Sequence, residues 1–250
     1  MPPQNQVLRQ LHRAASACPP LLEAYRRVRD AYKTDPLATA VYRKLMERGR
    51  LTLPTIPAES LAPPAGSIQF PVDYPLFASE DTPLEDMLFL LNLAKGRGAK
   101  RILEVGTYRA RATCAFHLNC PEAEIVSYDI QTLESPFREI VSKSPKVQLR
   151  LASFSESAAE LRREERFDLI FVDGSHFFEH VIADSRLALE LVSPKGIIVW
   201  HDYRPNNHAR QNELRVPEAL VVIQNDTQVF AVPRTMCAVH VRGGMGGRPA

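Results

Sequence analysis

A regular alternation of short apolar runs and helical segments begins near residue 100, and this feature constrains the fold most. Five strands are predicted, and they are 101–106, 124–130, 147–152, 167–173 and 196–202. Helical segments near 110–118, 133–143, 156–165 and 177–192 fill the intervals. Runs such as Leu169-Ile170-Phe171-Val172 are apolar at every position, which is typical of strands covered on both faces. The pattern predicts a doubly wound, parallel α/β sheet with right-handed crossovers.

The two ends of the chain depart from this alternation. Residues 227–232 and 236–241 are predicted strands separated by Pro233-Arg234-Thr235, which indicates a terminal antiparallel hairpin and a mostly parallel sheet of seven strands. Residues 1–50 predict helices near 5–16, 20–33 and 36–48. The proline-rich run 51–66 is typical of a connector. We therefore expect a helical extension with its connector (1–65), a sheet domain (66–242) and a flexible tail (243–250).

A further helix is predicted to begin near Thr82. This threonine can cap the helix, Pro83 suits the first helical position, and Glu85 can close a capping box. Its expected buried face is formed by Leu84, Met87, Leu88, Leu91 and Ala94.

Composition excludes several classes of partner. The net charge is only +2 over 250 residues, and no basic run indicates nucleic-acid binding. No apolar stretch reaches the roughly 18–20 residues of a membrane span, and no secretory signal is recognisable at the start. The four cysteines form no CxxC pair, which favours reduced thiols. We expect a soluble cytoplasmic protein without a membrane or nucleic-acid partner.

Polar residues recur where the predicted strands end. Ligands of open parallel sheets bind outside the carboxyl ends of the strands, at the switch in strand order. Those ends carry Glu104 and Gly106, Asp129, Ser153, Asp173, and His201-Asp202. A single acid there is more often a loop residue or a helix cap. Acids directly at the ends of the second, fourth and fifth strands together favour a ligand site.

The first strand end has the spacing of a nucleoside site. Asp129 follows Gly106 by 23 residues, close to the interval at which an acid accepts hydrogen bonds from ribose hydroxyls. The loop reads GTYRAR and lacks the later glycines of GxGxxG that let the backbone approach a pyrophosphate. A ligand without phosphates needs less clearance, so S-adenosylmethionine (SAM) is favoured over a nicotinamide dinucleotide.

The segments ILEVGTYRARAT, SYDI and FDLIFVDGSHFFEHVIADSRLALELVSPKGIIVWHDY resemble class I SAM-dependent methyltransferases. Most similar is the family 24-like subgroup with DGSH and HDY motifs, which includes small-molecule O-methyltransferases and cephalosporin-hydroxylase-like enzymes. The resemblance covers about residues 80–242 and implies a Rossmann-like methyltransferase fold. The SAM-binding residues that it implies are Glu104, Gly106, Thr107 and Tyr108 on the methionine side, Asp129 on the ribose, Ser153 and Phe154 beside the adenine, and Asp173. The chain departs from the subgroup at Ala110, where glycine is usual, and at Ala112, where serine is common.

Asp173 and Asp202 are expected to end adjacent strands, about 5 Å apart. Two carboxylates so close repel each other unless one is protonated or a cation lies between them. Mg²⁺ prefers oxygen ligands, so the pair is a candidate metal site. The histidine at position 201 leaves a softer ion, or no ion, as alternatives.

His176 and His201 are candidate general bases, because histidine titrates near neutrality and a hydroxyl must lose its proton to accept a methyl group. His180 is expected to be a solvated helix residue. Trp200 and the Phe177-Phe178 pair are expected in the core, although an acceptor pocket is an alternative for them.

The function predicted from these residues is SAM-dependent methylation of a hydroxyl group on a small molecule, such as a sugar or a secondary-metabolite scaffold. Two alternatives stay open: an NAD(P)-dependent oxidoreductase, and a non-catalytic scaffold or partner subunit that keeps the fold. Ala110 favours the scaffold, whereas the intact acids and His201 disfavour it. The N-terminal helices are a candidate surface for a homodimer.

Overall fold

The computed structural model describes residues 53–71, 82–203 and 216–243, which lie in one compact unit, Leu53–Ala250. The helices predicted within residues 1–50 and the predicted tail after 243 lie outside the described residues. The strands are β1 (Arg101–Val105), β2 (Glu124–Asp129), β3 (Val147–Leu151), β4 (Phe167–Val172), β5 (Val192–Trp200), β6 (Phe230–Ala231) and β7 (Ala238–Val241). The helices are α1 (Leu84–Gly96), α2 (Arg111–Asn119), α3 (Pro136–Ser142), α4 (Ala158–Leu161), α5 (Phe178–Leu191) and α6 (Val216–Ile223), with 3-10 turns at Ala58–Ser60 and Ser155–Ser157.

The seven strands form one sheet in the order β3-β2-β1-β4-β5-β7-β6. The first five are parallel, and β7 runs antiparallel to both β5 and β6. The predicted fold class is therefore confirmed, including the reversed terminal hairpin. Strand order reverses between β1 and β4, which puts the expected ligand crevice at the carboxyl ends of these two strands.

The central strands are covered on both faces, as their continuous apolar runs predict. Ile102 and Leu103 are consecutive in β1, point to opposite faces, and are both fully buried in separate apolar clusters. Local capping follows ordinary rules at α3, where the Ser135 hydroxyl accepts from the amide of Arg138 and Pro136 begins the helix. None of the helices in the described ranges combines the length and the apolarity that a bilayer crossing requires.

Helix α1 differs from its prediction in two respects. It begins at Leu84 without a side-chain cap, so the predicted capping box is wrong; the Thr82 hydroxyl instead lies 3.4 Å from Asp173 Oδ2. The helix is also buried over most of its circumference rather than along one stripe, because the sheet and residues 53–71 both cover it. Its buried residues are Asp86, Met87, Phe89, Leu90, Leu91, Leu93 and Ala94, whereas Leu84 and Leu88 are half-buried.

The proline-rich segment packs on the sheet. The Ile56 amide donates to the Ala231 carbonyl (3.0 Å), and the Ala231 amide donates to the Pro54 carbonyl (2.8 Å). These bonds form a short parallel bridge beside the edge strand β6. Leu53, Ile56 and Leu61 are each 3% exposed. Residues 53–61 therefore cover an edge that would otherwise present unpaired backbone groups.

Candidate active site

The loop between β1 and α2 passes very close to the end of β4. Gly106 has φ +103°, and a Cβ there would lie 2.0 Å from the Asp173 carbonyl oxygen. The Gly106 and Thr107 amides both donate to the Tyr128 carbonyl, at 2.8 and 3.2 Å. The Asp173 amide donates to the Val105 carbonyl at 2.8 Å. Only glycine fits this position. The three hydrogen bonds join the ends of β1, β2 and β4, which together form the floor of the candidate site.

Glu104 lies beneath this floor rather than on it. The side chain is 1% exposed, and its Oε2 accepts from the Ser127 hydroxyl (2.6 Å) and from the Thr113 hydroxyl. The Thr107 hydroxyl lies 2.6 Å from that of Ser127 and extends the network. Burial raises the pKa of Glu104 to about 7, although the two hydroxyl donors oppose the shift. Glu104 thus ties β1 to β2 and α2, and its contact with a cofactor stays a prediction.

Asp129 lies half-buried at the carboxyl end of β2. Its Oδ2 accepts from the Tyr108 amide (2.7 Å) and its Oδ1 from the Gln131 amide (3.0 Å), so the carboxylate is fixed in orientation. Each carboxylate oxygen retains a second acceptor direction, as a ribose diol requires. Ile130 is 77% exposed, and Leu151, the register partner of Asp129, is 65% exposed. These two apolar side chains were missed from the sequence, where nothing distinguishes them from strand residues.

The remaining predicted cofactor residues divide between the surface and the core. Ser153 is half-buried just beyond β3. Phe154 is 4% exposed and packs edge-on against Tyr128, with ring centroids 5.7 Å apart. Of this pair, Ser153 is therefore the residue that solvent can reach at the carboxyl end of β3.

Ala110 occupies a backbone conformation that disfavours alanine. Its φ and ψ are +60° and +26°, in the left-handed region, and the residue is fully buried immediately before α2. Its carbonyl accepts from the Cys114 amide (2.9 Å), which starts the helix. The glycine usual in the resembling subgroup would adopt this conformation without strain.

The carboxylates that end β4 and β5 have a histidine between them. His201 Nδ1 lies 3.2 Å from Asp173 Oδ1 and 3.6 Å from Asp202 Oδ1. The three residues form the one group of potential metal ligands among the described residues. Burial by itself would lower the pKa of His201, yet the surrounding carboxylates, Asp173 first, raise it well above its ordinary value. The His201 ring thus lies between the two acids that the sequence predicts to repel each other.

Asp86, on α1, contacts the far side of the His201 ring and was missed from the sequence. It is 2% exposed, and its Oδ2 lies 2.9 Å from His201 Nε2. Its Oδ1 accepts from the Met236 amide at 3.0 Å. An aspartate inside the apolar run LEDMLFLL was the available signal, because a buried carboxylate requires a partner.

His176 is the more accessible of the two candidate bases. Its side chain is 38% exposed, compared with 6% for His201. Its Nε2 lies 2.6 Å from Asp202 Oδ2 and 4.0 Å from Asp173 Oδ1. Partial burial lowers the pKa of His176, but Asp202 outweighs this effect and the net pKa is raised. The pKa of Asp202 is lowered by the two histidines despite its burial.

The other side chains considered from the sequence divide between the core and the surface. Trp200 is buried and its indole N–H donates to the Ser185 hydroxyl (2.9 Å), as a core residue would. His180 is exposed, with Nδ1 2.7 Å from the Ser175 hydroxyl. Phe177 is 60% exposed, so its expected place in the core is wrong, whereas Phe178 packs partly against the core.

Comparisons with known proteins agree with this fold. Residues 103–203 match a family model described as a methyltransferase domain, which confirms the resemblance noted in the sequence. No match to this chain was found among the curated proteins.

Three solved structures illustrate the similarity of fold. An O-methyltransferase from Bacillus cereus, in complex with SAH, is 19% identical with a TM-score of 0.51, covering 66% of this chain and 84% of that one. Rv0187 from MTB, in a cofactor-bound form, is 16% identical with a TM-score of 0.53 and coverages of 66% and 83%. TomG from Streptomyces achromogenes, an O-methyltransferase in complex with SAM, is 17% identical with a TM-score of 0.50 and coverages of 65% and 82%.

Proposed function

We propose that this chain, which carries a methyltransferase domain over residues 103–203, transfers the methyl group of SAM to a hydroxyl group of a small molecule. The observation that carries the proposal is the fixed Asp129 carboxylate at the switch in strand order, beside a loop that has no room for a side chain at Gly106. SAM-bound and SAH-bound proteins of the same fold support it.

The residues at the edge of the sheet fit a SAM molecule. Asp129 would accept hydrogen bonds from the two ribose hydroxyls. Ile130, the next residue in the chain, and Leu151, the register partner of Asp129 on β3, are exposed and would supply the apolar surface on which an adenine packs. Tyr108 and Gly106 would border the methionine portion. SAM, when bound, supplies an electrophilic methyl group, and Asp129 would fix its direction relative to the acceptor.

The acceptor hydroxyl must lose its proton as its oxygen takes the methyl group. We assign that proton to His176, since it is partly exposed and its Nε2 lies 2.6 Å from Asp202 Oδ2. Because Nε2 faces Asp202, Nδ1 of His176 would receive the proton. His201 is less suited to this role, because it is buried and both of its nitrogens face carboxylates.

Asp173, His201 and Asp202 would hold a divalent cation, for which Mg²⁺ is the predicted candidate. The fit is supported by one potential ligand atom from each residue, all within 4.8 Å of one another. A bound cation would lower the pKa of a hydroxyl coordinated to it. His176 lies beside this group and is positioned to take the proton.

The test is transfer of a labelled methyl group from SAM to a panel of phenols, catechols and sugars. His176→Gln should lower kcat about 10²–10⁴-fold with an unchanged Kd for SAH, because it removes only the proton acceptor. His180→Gln, the same substitution at an exposed histidine four residues further along the chain, should leave kcat unchanged. A His176→Gln protein with full kcat would contradict the assignment of the base.

A further inference from the structure

We propose that Asp86 is a positioning residue that presents His201 Nδ1 as a metal ligand, and that the site therefore takes a transition-metal ion in preference to Mg²⁺. The inference deepens the proposed function and rests on it for the purpose of the ion. It concerns a residue outside the matched methyltransferase segment, on helix α1.

The first step is the tautomer of His201. A carboxylate only accepts hydrogen bonds, and both oxygens of Asp86 are engaged, Oδ1 by the Met236 amide and Oδ2 by His201 Nε2. The proton of that contact must therefore belong to Nε2. With Nε2 protonated, the neutral ring carries its lone pair on Nδ1. Asp86 is 2% exposed, so water cannot readily replace it in this role.

The second step is the geometry around Nδ1. This atom faces Asp173 Oδ1 at 3.2 Å and Asp202 Oδ1 at 3.6 Å. Ligand atoms bound about 2.1 Å from one ion are about 3.0–3.4 Å apart in octahedral or tetrahedral arrangements. The observed separations match those polyhedron edges within a few tenths of an ångström. The other oxygen of Asp202, Oδ2, faces His176. This contact leaves Asp202 Oδ1 directed towards His201 and Asp173.

The third step is the kind of ion. Two carboxylates alone suit Mg²⁺, whereas an imidazole in the ligand set favours Co²⁺, Zn²⁺ or Fe²⁺. A carboxylate on the far ring nitrogen orients the imidazole and makes it more basic as a ligand. Asp86, buried and bonded on both oxygens, meets this description.

The experiment measures metal binding directly, by calorimetry with Mg²⁺ and Co²⁺ and by the visible absorption of bound Co²⁺, on the full chain with SAH present. Asp86→Asn is the informative variant. Its amide oxygen can keep the bond from the Met236 amide while its NH₂ donates to His201 Nε2. That arrangement moves the ring proton to Nδ1 and removes the ligand lone pair. Glu85→Gln is the matched control, because it makes the same charge change on an exposed neighbour in α1.

We expect the unaltered protein to bind Co²⁺ at least tenfold more tightly than Mg²⁺. Asp86→Asn should weaken Co²⁺ binding about 10–100-fold while the Kd for SAH and the unfolding midpoint stay close to those of Glu85→Gln. A folded Asp86→Asn protein with unaltered Co²⁺ affinity overturns the inference. So does an unaltered protein that binds Mg²⁺ as tightly as Co²⁺, or neither ion, whatever the variant does. The SAH titration separates these results from failure of the proposed function, which would abolish SAH binding.

Discussion

Replacing Ala110 with glycine tests whether the left-handed backbone of this residue strains the loop that would hold SAM. Ala110 has φ +60° and is fully buried. A left-handed alanine costs about 1–2 kcal/mol, which glycine would recover. Against this gain stand about 0.8 kcal/mol for the lost buried methyl group and about 0.4–1 kcal/mol for the greater freedom of glycine in the unfolded chain. The free energy of unfolding should therefore change by no more than about 1 kcal/mol in either direction.

Ala115 provides the matched comparison. It is also fully buried, but it lies inside helix α2 with right-handed backbone angles. Ala115→Gly recovers no strain and loses about 1 kcal/mol of helix propensity together with about 0.8 kcal/mol of buried methyl group. We expect it to destabilise the protein by about 2 kcal/mol.

The assay is urea unfolding of both variants and the parent at one pH, followed by circular dichroism, with an SAH titration of each folded protein. The two free energies of unfolding should differ by about 1–3 kcal/mol in favour of Ala110→Gly. If Ala110→Gly loses as much stability as Ala115→Gly, the assigned strain is absent from the loop and the reasoning is refuted.

Two further predictions concern Gly106 in the same loop and Glu104 beneath it. Gly106→Ala should destabilise the protein by more than about 3 kcal/mol, because its Cβ would lie 2.0 Å from a backbone oxygen. Gly98→Ala, also at positive φ but in open space, should cost only about 1–2 kcal/mol. Equal losses of stability in thermal unfolding would argue against the close approach at Gly106. Glu104→Gln should flatten the pH dependence of stability. The pKa of Glu104 is raised from 4.5 to about 7 in the folded protein. Its contribution to the free energy of unfolding is therefore fully present below pH 4.5. That contribution, roughly 3 kcal/mol, is lost as the pH rises through 7. Urea unfolding at pH 5 and pH 8 measures this, and identical slopes for parent and variant would contradict the assignment.

The sheet was predictable because its signals are local. Each central strand is an apolar run that ends in a polar residue, and the observed ends of β1, β2, β3 and β4 lie one residue before the predicted ends. The predicted helix at 156–165 shortens to Ala158–Leu161 after a 3-10 turn, because beyond Leu161 the chain is charged and offers few apolar residues to bury.

Other features depended on partners far away in the chain. Asp86 meets His201 only in the folded protein, and its position on α1 could not be read from a single apolar stripe because α1 is buried nearly all round. Residues 53–56 looked like a connector because prolines separate their apolar residues. Their pairing with Ala231 depends on the edge strand β6, a two-residue strand that carries little local signal.

The site was predicted in outline and differs in its details. Asp173 and Asp202 do end neighbouring strands, as the spacing indicates. The sequence did not show that His201 would lie between them, since that depends on side-chain direction after Trp200 and on the positive φ of Asp202. Glu104, predicted on the methionine side of SAM, lies beneath the loop because its carboxylate is held by the Ser127 and Thr113 hydroxyls.

Calorimetric titration with SAH is the most direct test of the central claim, that Asp129 and the Gly106 loop form a SAM site. The parent protein should bind SAH and give no heat with NAD. Asp129→Asn should weaken SAH binding about tenfold or more, because an amide offers one acceptor oxygen where the ribose diol needs two, while Asp226→Asn at an exposed, distant position should bind as the parent does. An absence of SAH binding at millimolar concentration, or an Asp129→Asn protein with the affinity of the parent, would contradict the account.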